Sequence, residues 1–508
     1  MKNRGRQALL NTVSQLSVEF VAIVCGLILP RLIINTFGST YNGLTNSISQ
    51  FLSYAVLLRS GIGGATRAAL YKPLHDGDIN KINAIMSATN RFMKKIALIL
   101  TVLIVLFSCV YPFLVIKDFD WLFSFTLFLI IGISTIAESL FGVTNFIFLQ
   151  ANQKLHIPAF AHIVSYIVNT VISVILLKSG FGIHIVKLGS AFAYTLYPVI
   201  LSIYVKKKYR LDYSVKPDNL AIKQRWDAFF HQIAYFVTTN TDTIVLTICA
   251  NMKEVSVYSV YNLVVVAIRK FSTSFTNGLE SAFGNMIAGD EKEALKRNFM
   301  IVEMVSFLIG SFICIVSGIM IVPFVKLYTR NVFDVQYARP VFAMIMISSQ
   351  FLETIRQPYQ ILIQAAGKYK ETKRIVIFEP IINIVVSVIL VLRFGLVGVA
   401  IGTLISVIIR TTGFSWYISK NYISNTFLRT ITSIILAIAD FLIVYYINFF
   451  IGFEMPTSYF MWVIQAAIVS LITLVIVILS LIIFRFHVFM EMINKAKSVI
   501  FQRKRGHV

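Results

Sequence analysis

The chain has 508 residues, 57% of them hydrophobic and only 14% charged, with a mean hydropathy of +0.78. These values exclude an ordinary soluble domain, in which about a quarter of residues are charged. The net charge of +23 resembles that of a nucleic-acid binder until the charges are placed, because they collect in alternate connections between apolar stretches. That pattern belongs to a polytopic membrane protein and implies no nucleic-acid partner.

Stretches of about 20 apolar residues, enough to cross a bilayer core, follow one another along the chain. Lys2, Arg4 and Arg6 precede a first run at 9–36, which is too long for a signal peptide, lacks a small-residue cleavage site and reads as a retained helix. It carries Asn11, Gln15 and Glu19, with Arg31 toward its outer end. The second, 43–70, places Arg59, Gly63 and Arg67 at four-residue steps. Runs at 92–116, 121–149 (with Glu138), 157–178 and 181–205 complete a first lobe, 1–205, and a basic cytoplasmic linker follows at 206–226.

The second lobe, 227–420, opens with 228–250, bearing His231, Tyr235, Thr238 and Asp242. The run 255–287 sets Tyr258, Asn262, Arg269, Thr273, Thr276 and Glu280 on one stripe of a 3.6-residue helix. After 299–325 comes 340–365, with Ser349, Glu353, Arg356, Gln360 and Gln364 and a kink-forming Pro358. Runs at 374–392 and 395–419 close the lobe. Two further spans, 428–450 and 459–484, lie within 421–485, and a basic cytoplasmic tail covers 486–508. The reading is an all-α protein of about 14 transmembrane helices. The basic 72–95 and 206–225 connections, Lys292 to Arg297, Lys368 to Arg374 and the tail share one side. The positive-inside rule makes that side, with both termini, cytoplasmic, where basic groups also favour anionic headgroups. Cys25, Cys109, Cys249 and Cys314 have unrelated spacings and form neither a disulfide framework nor a metal motif.

One passage occurs twice. With Leu149 set on Ile363, Gln150, Ala151 and Lys154 fall on Gln364, Ala365 and Lys368, and Asn169 and Ser173 to Leu176 fall on Asn383 and Ser387 to Leu390. After one residue drops out, Phe181, Gly182, Gly189, Tyr204 and Tyr209 fall on Phe394, Gly395, Gly402, Tyr417 and Tyr422. Six spans separate the copies, so the repeats enter the membrane in the same sense. Such parallel repeats are known among alternating-access transporters.

A charged side chain at the bilayer centre costs roughly 2.5–3.5 kcal/mol on insertion scales, so the polar stripes are expected to face water or one another. Arg59, Arg67, Arg269 and Arg356 are candidates to line a hydrated cavity. Guanidinium groups donate paired hydrogen bonds to phosphoryl oxygens, so such a cavity suits an anionic diphosphate or acidic sugar. Glu19, Glu138, Asp242, Glu280 and Glu353 are candidates for binding a coupling Na⁺ or H⁺, with no other cofactor expected; each alternatively offsets an arginine. Glu353 and Arg356, three apart, also fit a structural ion pair. Arg31 and Arg410 sit where a long side chain can snorkel to the interface, and Lys270 can do the same. His231 fits a structural histidine, and Gly61, Gly63 and Gly64 fit close helix approach or bending.

Phe37-Gly38 through Tyr41-Asn42-Gly43-Leu44, Gly61 to Ala65 followed by Lys72-Pro73-Leu74, Asn152 to Phe160, and Asn240-Thr241-Asp242 carry a resemblance. Over its whole length the chain resembles the multidrug/oligosaccharidyl-lipid/polysaccharide exporter superfamily, and within it the Wzx-like polysaccharide flippases. The resemblance implies ATP-independent movement of undecaprenyl-diphosphate-linked oligosaccharide units across the bacterial plasma membrane for capsule, O-antigen or related polymers. Arg59 and Arg269, one per half, match the expected cavity arginines, although the position of Arg59 is often acidic in relatives. It also implies a lipid-tail groove at the last two spans, and polymerases and glycosyltransferases of the same pathway as partners. A cation-coupled multidrug exporter of the same superfamily is the alternative, and it would prefer an acid-dominated pocket. A membrane-embedded polymerase or ligase is disfavoured because no large outer loop exists; the longest is near 326–339.

Overall fold

Helices account for nearly all of the computed structural model, which describes residues 2–59, 62–218, 240–275 and 279–505. In chain order they are α1 (Lys2–Phe37), α2 (Ser39–Val56), a 3₁₀ turn (Leu57–Arg59), α3 (Ile62–Asp76), α4 (Ile79–Val115), α5 (Trp121–Ala137), a π segment (Glu138–Gly142), α6 (Val143–Ala151), α7 (His156–Lys178) and α8 (Ile183–Tyr209). Then come α9 (240–249), α10 (Met252–Ser274), α11 (Leu279–Ala288), α12 (Lys292–Tyr328), α13 (Pro340–Ala365), α14 (Tyr369–Phe394), α15 (Leu396–Asn421), α16 (Thr426–Ile451) and α17 (Tyr459–Arg505). Among the described residues there are ten helical spans long and apolar enough to cross a membrane. The expected spans missing from that set are the polar and interrupted ones. The run at 43–70 contains the 3₁₀ turn, that at 255–287 includes residues 276–278, which lie outside the described residues, and α13 is continuous but polar. Residues 219–239, which begin the expected span at 228–250, lie outside the described residues, as do His231, Tyr235, Thr238, Gly61 and Thr276.

The chain forms two compact units, residues 1–259 with 331–335, and residues 260–330 with 336–508. In the first, α7 and α8 pair as a hairpin beside α1, and a core of Leu70, Ile85, Met86, Phe148, Leu149 and Leu201 joins α3, α4, α6 and α8. The α2 helix begins at Ser39, whose backbone N and Oγ donate to the Asp334 carboxylate at 2.8 and 2.6 Å. An anion at that end complements the helix dipole. Gly43 is required there, because a Cβ would collide with the backbone carbonyl of Met252. In the second unit α14 and α15 form the equivalent hairpin against α13. Phe283, Phe299, Tyr359, Leu362, Phe414 and Ile418 fill its core.

The duplication is visible in the backbone. Gln153 and Gly367, which the register superposes, both have left-handed φ (56° and 66°). Lys154 N donates to Leu149 O at 2.8 Å as Lys368 N donates to Ile363 O at 3.1 Å, while Gln153 N and Gly367 N reach Gln150 O and Gln364 O. Each pair of bonds is a Schellman-type helix end, which satisfies carbonyls the helix leaves open. Asn169 and Asn383 are both buried and both donate across their hairpin, to Tyr194 Oη at 3.1 Å and Thr403 Oγ1 at 2.9 Å. Past the repeat, α16 and α17 pack with α12, and α17 is kinked at Arg485, where φ and ψ leave the helical region.

Candidate functional site

In the first unit Arg59 lies on the 3₁₀ turn between α2 and α3, so it does not share one continuous helix with Gly63 and Arg67 as their spacing suggests. Four-residue steps survive in sequence across a break that no periodicity reveals. Opposite it the chain widens into the π segment, an insertion often found at functional positions. Arg59 Nη2 donates to Glu138 Oε2 at 2.8 Å and Nη1 to Ser139 Oγ at 3.3 Å. The pair is only partly covered, with side chains 15% and 37% exposed. Eight residues on, Arg67 Nη1 donates to Gln150 Oε1 at 2.5 Å, a glutamine of the repeated passage. A Cβ on Gly63 would lie 3.8 Å from Arg67 Nη1, and one on Gly64 would meet nothing within 4 Å. Neither glycine is therefore demanded by close helix approach.

Asp242 is buried on α9 and accepts a hydrogen bond from Tyr258 Oη at 3.2 Å. Glu19 is half-buried on α1. A polar neighbour on the same helix fastens α1 to the α6–α7 turn, since Asn11 Nδ2 donates to Gln153 O at 2.7 Å and Asn11 Oδ1 accepts from His156 N at 3.1 Å.

In the second unit Arg269 on α10 meets Glu353 on α13, Nε to Oε2 at 3.3 Å, with side chains 29% and 17% exposed. The expected i, i+3 pairing of Glu353 with Arg356 is not the ion pair that either residue makes. Arg356 instead donates from Nη1 to Glu379 Oε1 at 3.0 Å, and Glu379 Oε2 accepts from Arg410 Nη1. Arg410 Nη2 also reaches Gln360 Oε1 at 3.5 Å, and its guanidinium lies over the Phe414 ring. Glu379 has no exposed surface, and Arg356 and Arg410 are each 8% exposed. Arg410 thus does not snorkel; a buried carboxylate holds it inside. Glu280 belongs to α11, a different helix from that of Arg269, and is exposed. Sequence periodicity misses Glu379 because it stands alone in the apolar run Ile375-Val376-Ile377-Phe378-Glu379-Pro380.

A further network joins α12, α13, α16 and α17. Glu303 accepts from Arg429 Nε at 2.8 Å and from Tyr359 Oη at 3.0 Å, Tyr359 pairs with Thr430 at 2.9 Å, and Arg485 Nη2 donates to Ser433 Oγ at 2.6 Å and Arg429 O at 3.0 Å. A cavity of about 360 Å³ opens beside it, lined by Glu303, Arg429, Arg485 and His487 among others. None of these residues belongs to the expected stripes. Among the described residues no three His, Cys, Asp or Glu side chains come together as a metal site would require. Glu138, Glu353, Glu379, Glu303 and Asp242 face arginines or tyrosine hydroxyls instead.

This architecture is that of a polytopic all-α membrane protein. The chain is similar to a solved structure of the lipid II flippase MurJ in an inward closed conformation, with a TM-score of 0.73 at 16% identity, over 94% of this chain and 99% of that one. It is also similar to an inward-facing multidrug resistance MATE family transporter of the MOP superfamily (TM-score 0.62, 14% identity, 80% and 96% covered). The Vibrio cholerae MATE transporter VcmN, as its D35N mutant, is a further likeness (0.56, 15%, 83% and 99%). At these identities the likeness is one of fold. No protein-family model and no curated protein sequence matches the chain.

Proposed function

We propose that this protein is a flippase that moves an undecaprenyl-diphosphate-linked oligosaccharide from the cytoplasmic to the outer leaflet of a bacterial plasma membrane, by alternating access coupled to Na⁺ or H⁺. The observation that carries the reading is the occurrence of a partly exposed arginine–glutamate pair in each unit, Arg59–Glu138 and Arg269–Glu353. Partial exposure keeps the guanidinium forks within reach of a diphosphate. Each glutamate supplies a counter-charge when no substrate is bound, and an anionic headgroup that displaces it can later be displaced in turn. Exchange of this kind avoids the stall that permanent pairing would cause, since a ligand that binds two states equally shifts neither.

The guanidinium groups held within the spans support an anionic substrate over the organic cations of a multidrug exporter. In the first unit Arg59 bonds Glu138 and Arg67 bonds the neutral Gln150, with Glu19 and Asp242 as further carboxylates of the same unit. In the second, Arg269 pairs with Glu353, and Arg356 and Arg410 share the single carboxylate of Glu379. The fold shared with a lipid II flippase supports the same class. Asp242, Glu138 and Glu353 are the proposed coupling carboxylates, and polymerases and glycosyltransferases of the same pathway the proposed partners. In proteoliposomes carrying a fluorescent undecaprenyl-diphosphate oligosaccharide, the wild-type protein is expected to transfer label between leaflets, and Arg59→Ala and Arg269→Ala are expected to lose transfer. Movement of an organic cation without movement of the lipid-linked label would select the exporter reading.

A further inference from the structure

The first unit contains a second polar cavity, whose lining excludes Arg59 and Arg67, of about 340 Å³. Its lining comes from α1, α2, α5, α7 and α8, and includes Ser49, Thr135, Asn169, Lys187, Ser190 and Tyr194. No carboxylate lines it. Lys187, near the start of α8, makes no hydrogen bond or ion pair with any described residue. The arginines within spans differ in this respect: Arg59, Arg67, Arg269, Arg356 and Arg410 are each held by an acid or an amide.

The neighbouring polar groups are donors with their protons to spare. Tyr194 Oη accepts from Asn169 Nδ2 at 3.1 Å, which leaves its own hydrogen to point elsewhere. The Thr135 and Ser190 hydroxyls engage no other described group. An ammonium offers three donors and no acceptor, and holding it without a counter-charge among membrane helices is unfavourable. The repeat register puts Ala400 at the matching place on α15, so the lysine belongs to one copy of the repeat alone.

We propose that this cavity is an oxyanion-binding site, in which Lys187 Nζ supplies the charge and Thr135, Ser190 and Tyr194 donate to the remaining oxygens of a phosphate or a sugar carboxylate. A water takes about 30 Å³ of liquid volume, so the space admits either ion with its hydration or an acidic monosaccharide. The site stands whether or not the chain moves lipid-linked glycans, and its test involves no transport.

The test is calorimetric titration of the full-length purified protein in detergent with sodium phosphate, sodium glucuronate, glucose and sodium chloride at fixed ionic strength and pH. Saturable binding of phosphate or glucuronate, weakened at least tenfold in Lys187→Met and several-fold in Tyr194→Phe, is the expected result. Preference for phosphate identifies a phosphate ligand, and preference for glucuronate an acidic sugar. Ser190→Ala together with Tyr194→Phe provides the same comparison if Lys187→Met does not fold. Absence of saturable binding, binding of chloride alone, or binding unchanged in these variants overturns the assignment.

Discussion

Replacing Glu379 by alanine removes the one carboxylate between Arg356 and Arg410 and leaves two guanidinium groups enclosed at 8% exposure each. Breaking a buried pair by deleting one partner costs about 3–5 kcal/mol. At about 1.4 kcal/mol per factor of ten, that lowers the folded-to-unfolded ratio roughly a thousandfold, against a total stability of about 5–15 kcal/mol. The triple variant Arg356→Met, Glu379→Met, Arg410→Met removes all three charges while retaining apolar volume, and buried ionic triads replaced in this way are commonly neutral or stabilised. Glu379→Ala is therefore expected to be much less stable than the triple variant. Equilibrium unfolding in mixed micelles, followed by helical circular dichroism, measures both. A Glu379→Ala protein within about 1 kcal/mol of wild type would refute the reasoning, because it would mean that water or another group already neutralises the arginines.

Arg59→Ala and Arg269→Ala should each abolish export of surface polysaccharide at unchanged protein level, with Arg59→Lys retaining part; normal polymer output from the double alanine variant removes both from the mechanism. Tyr359→Phe deletes the donor to Glu303 and the partner of Thr430, and should cost about 1–3 kcal/mol, read as a lower unfolding midpoint. The two copies of one glycine should differ. A Cβ on Gly402 would meet Ser387 Oγ and, at 2.8 and 3.0 Å, the Ser387 backbone, whereas one on Gly189 would meet only the side-chain ends of Leu176 and Ile172 at 2.7 and 2.9 Å. Overpacking costs about 1–3 kcal/mol, so Gly402→Ala should lower the unfolding midpoint more than Gly189→Ala; equal effects contradict the close α14–α15 approach.

The all-α membrane class was legible because long apolar runs admit few other folds, and the repeat because Gln150 through Tyr209 returns at Gln364 through Tyr422. The left-handed turn at Gln153 and Gly367 shows that the copied register is also a copied backbone. Legibility ended where a signal depends on what faces a residue. Arg59 and Arg67 keep helical spacing across a 3₁₀ turn, so their separation onto different elements leaves no trace in the spacing. Glu379 and Lys187 are single charges inside apolar runs, and a lone charge has no period. The surroundings that decide their meaning, Arg410 for one and an uncharged cavity for the other, are assembled from residues distant in sequence. The Glu353–Arg356 spacing suggested a local pair, but each side chain found a partner on a neighbouring helix. The polar stripe on α1 had the right periodicity, but Asn11 serves to hold the α6–α7 turn.

Which leaflet holds lipid-linked oligosaccharide when cells are depleted of this protein tests the central claim most directly, measured by accessibility of the sugars to an impermeant glycan-modifying probe in spheroplasts. Accumulation on the cytoplasmic face, inaccessible until the membrane is opened, is the result expected of a flippase. Accumulation on the outer face, accessible in intact spheroplasts, would contradict the account and place the missing step after translocation.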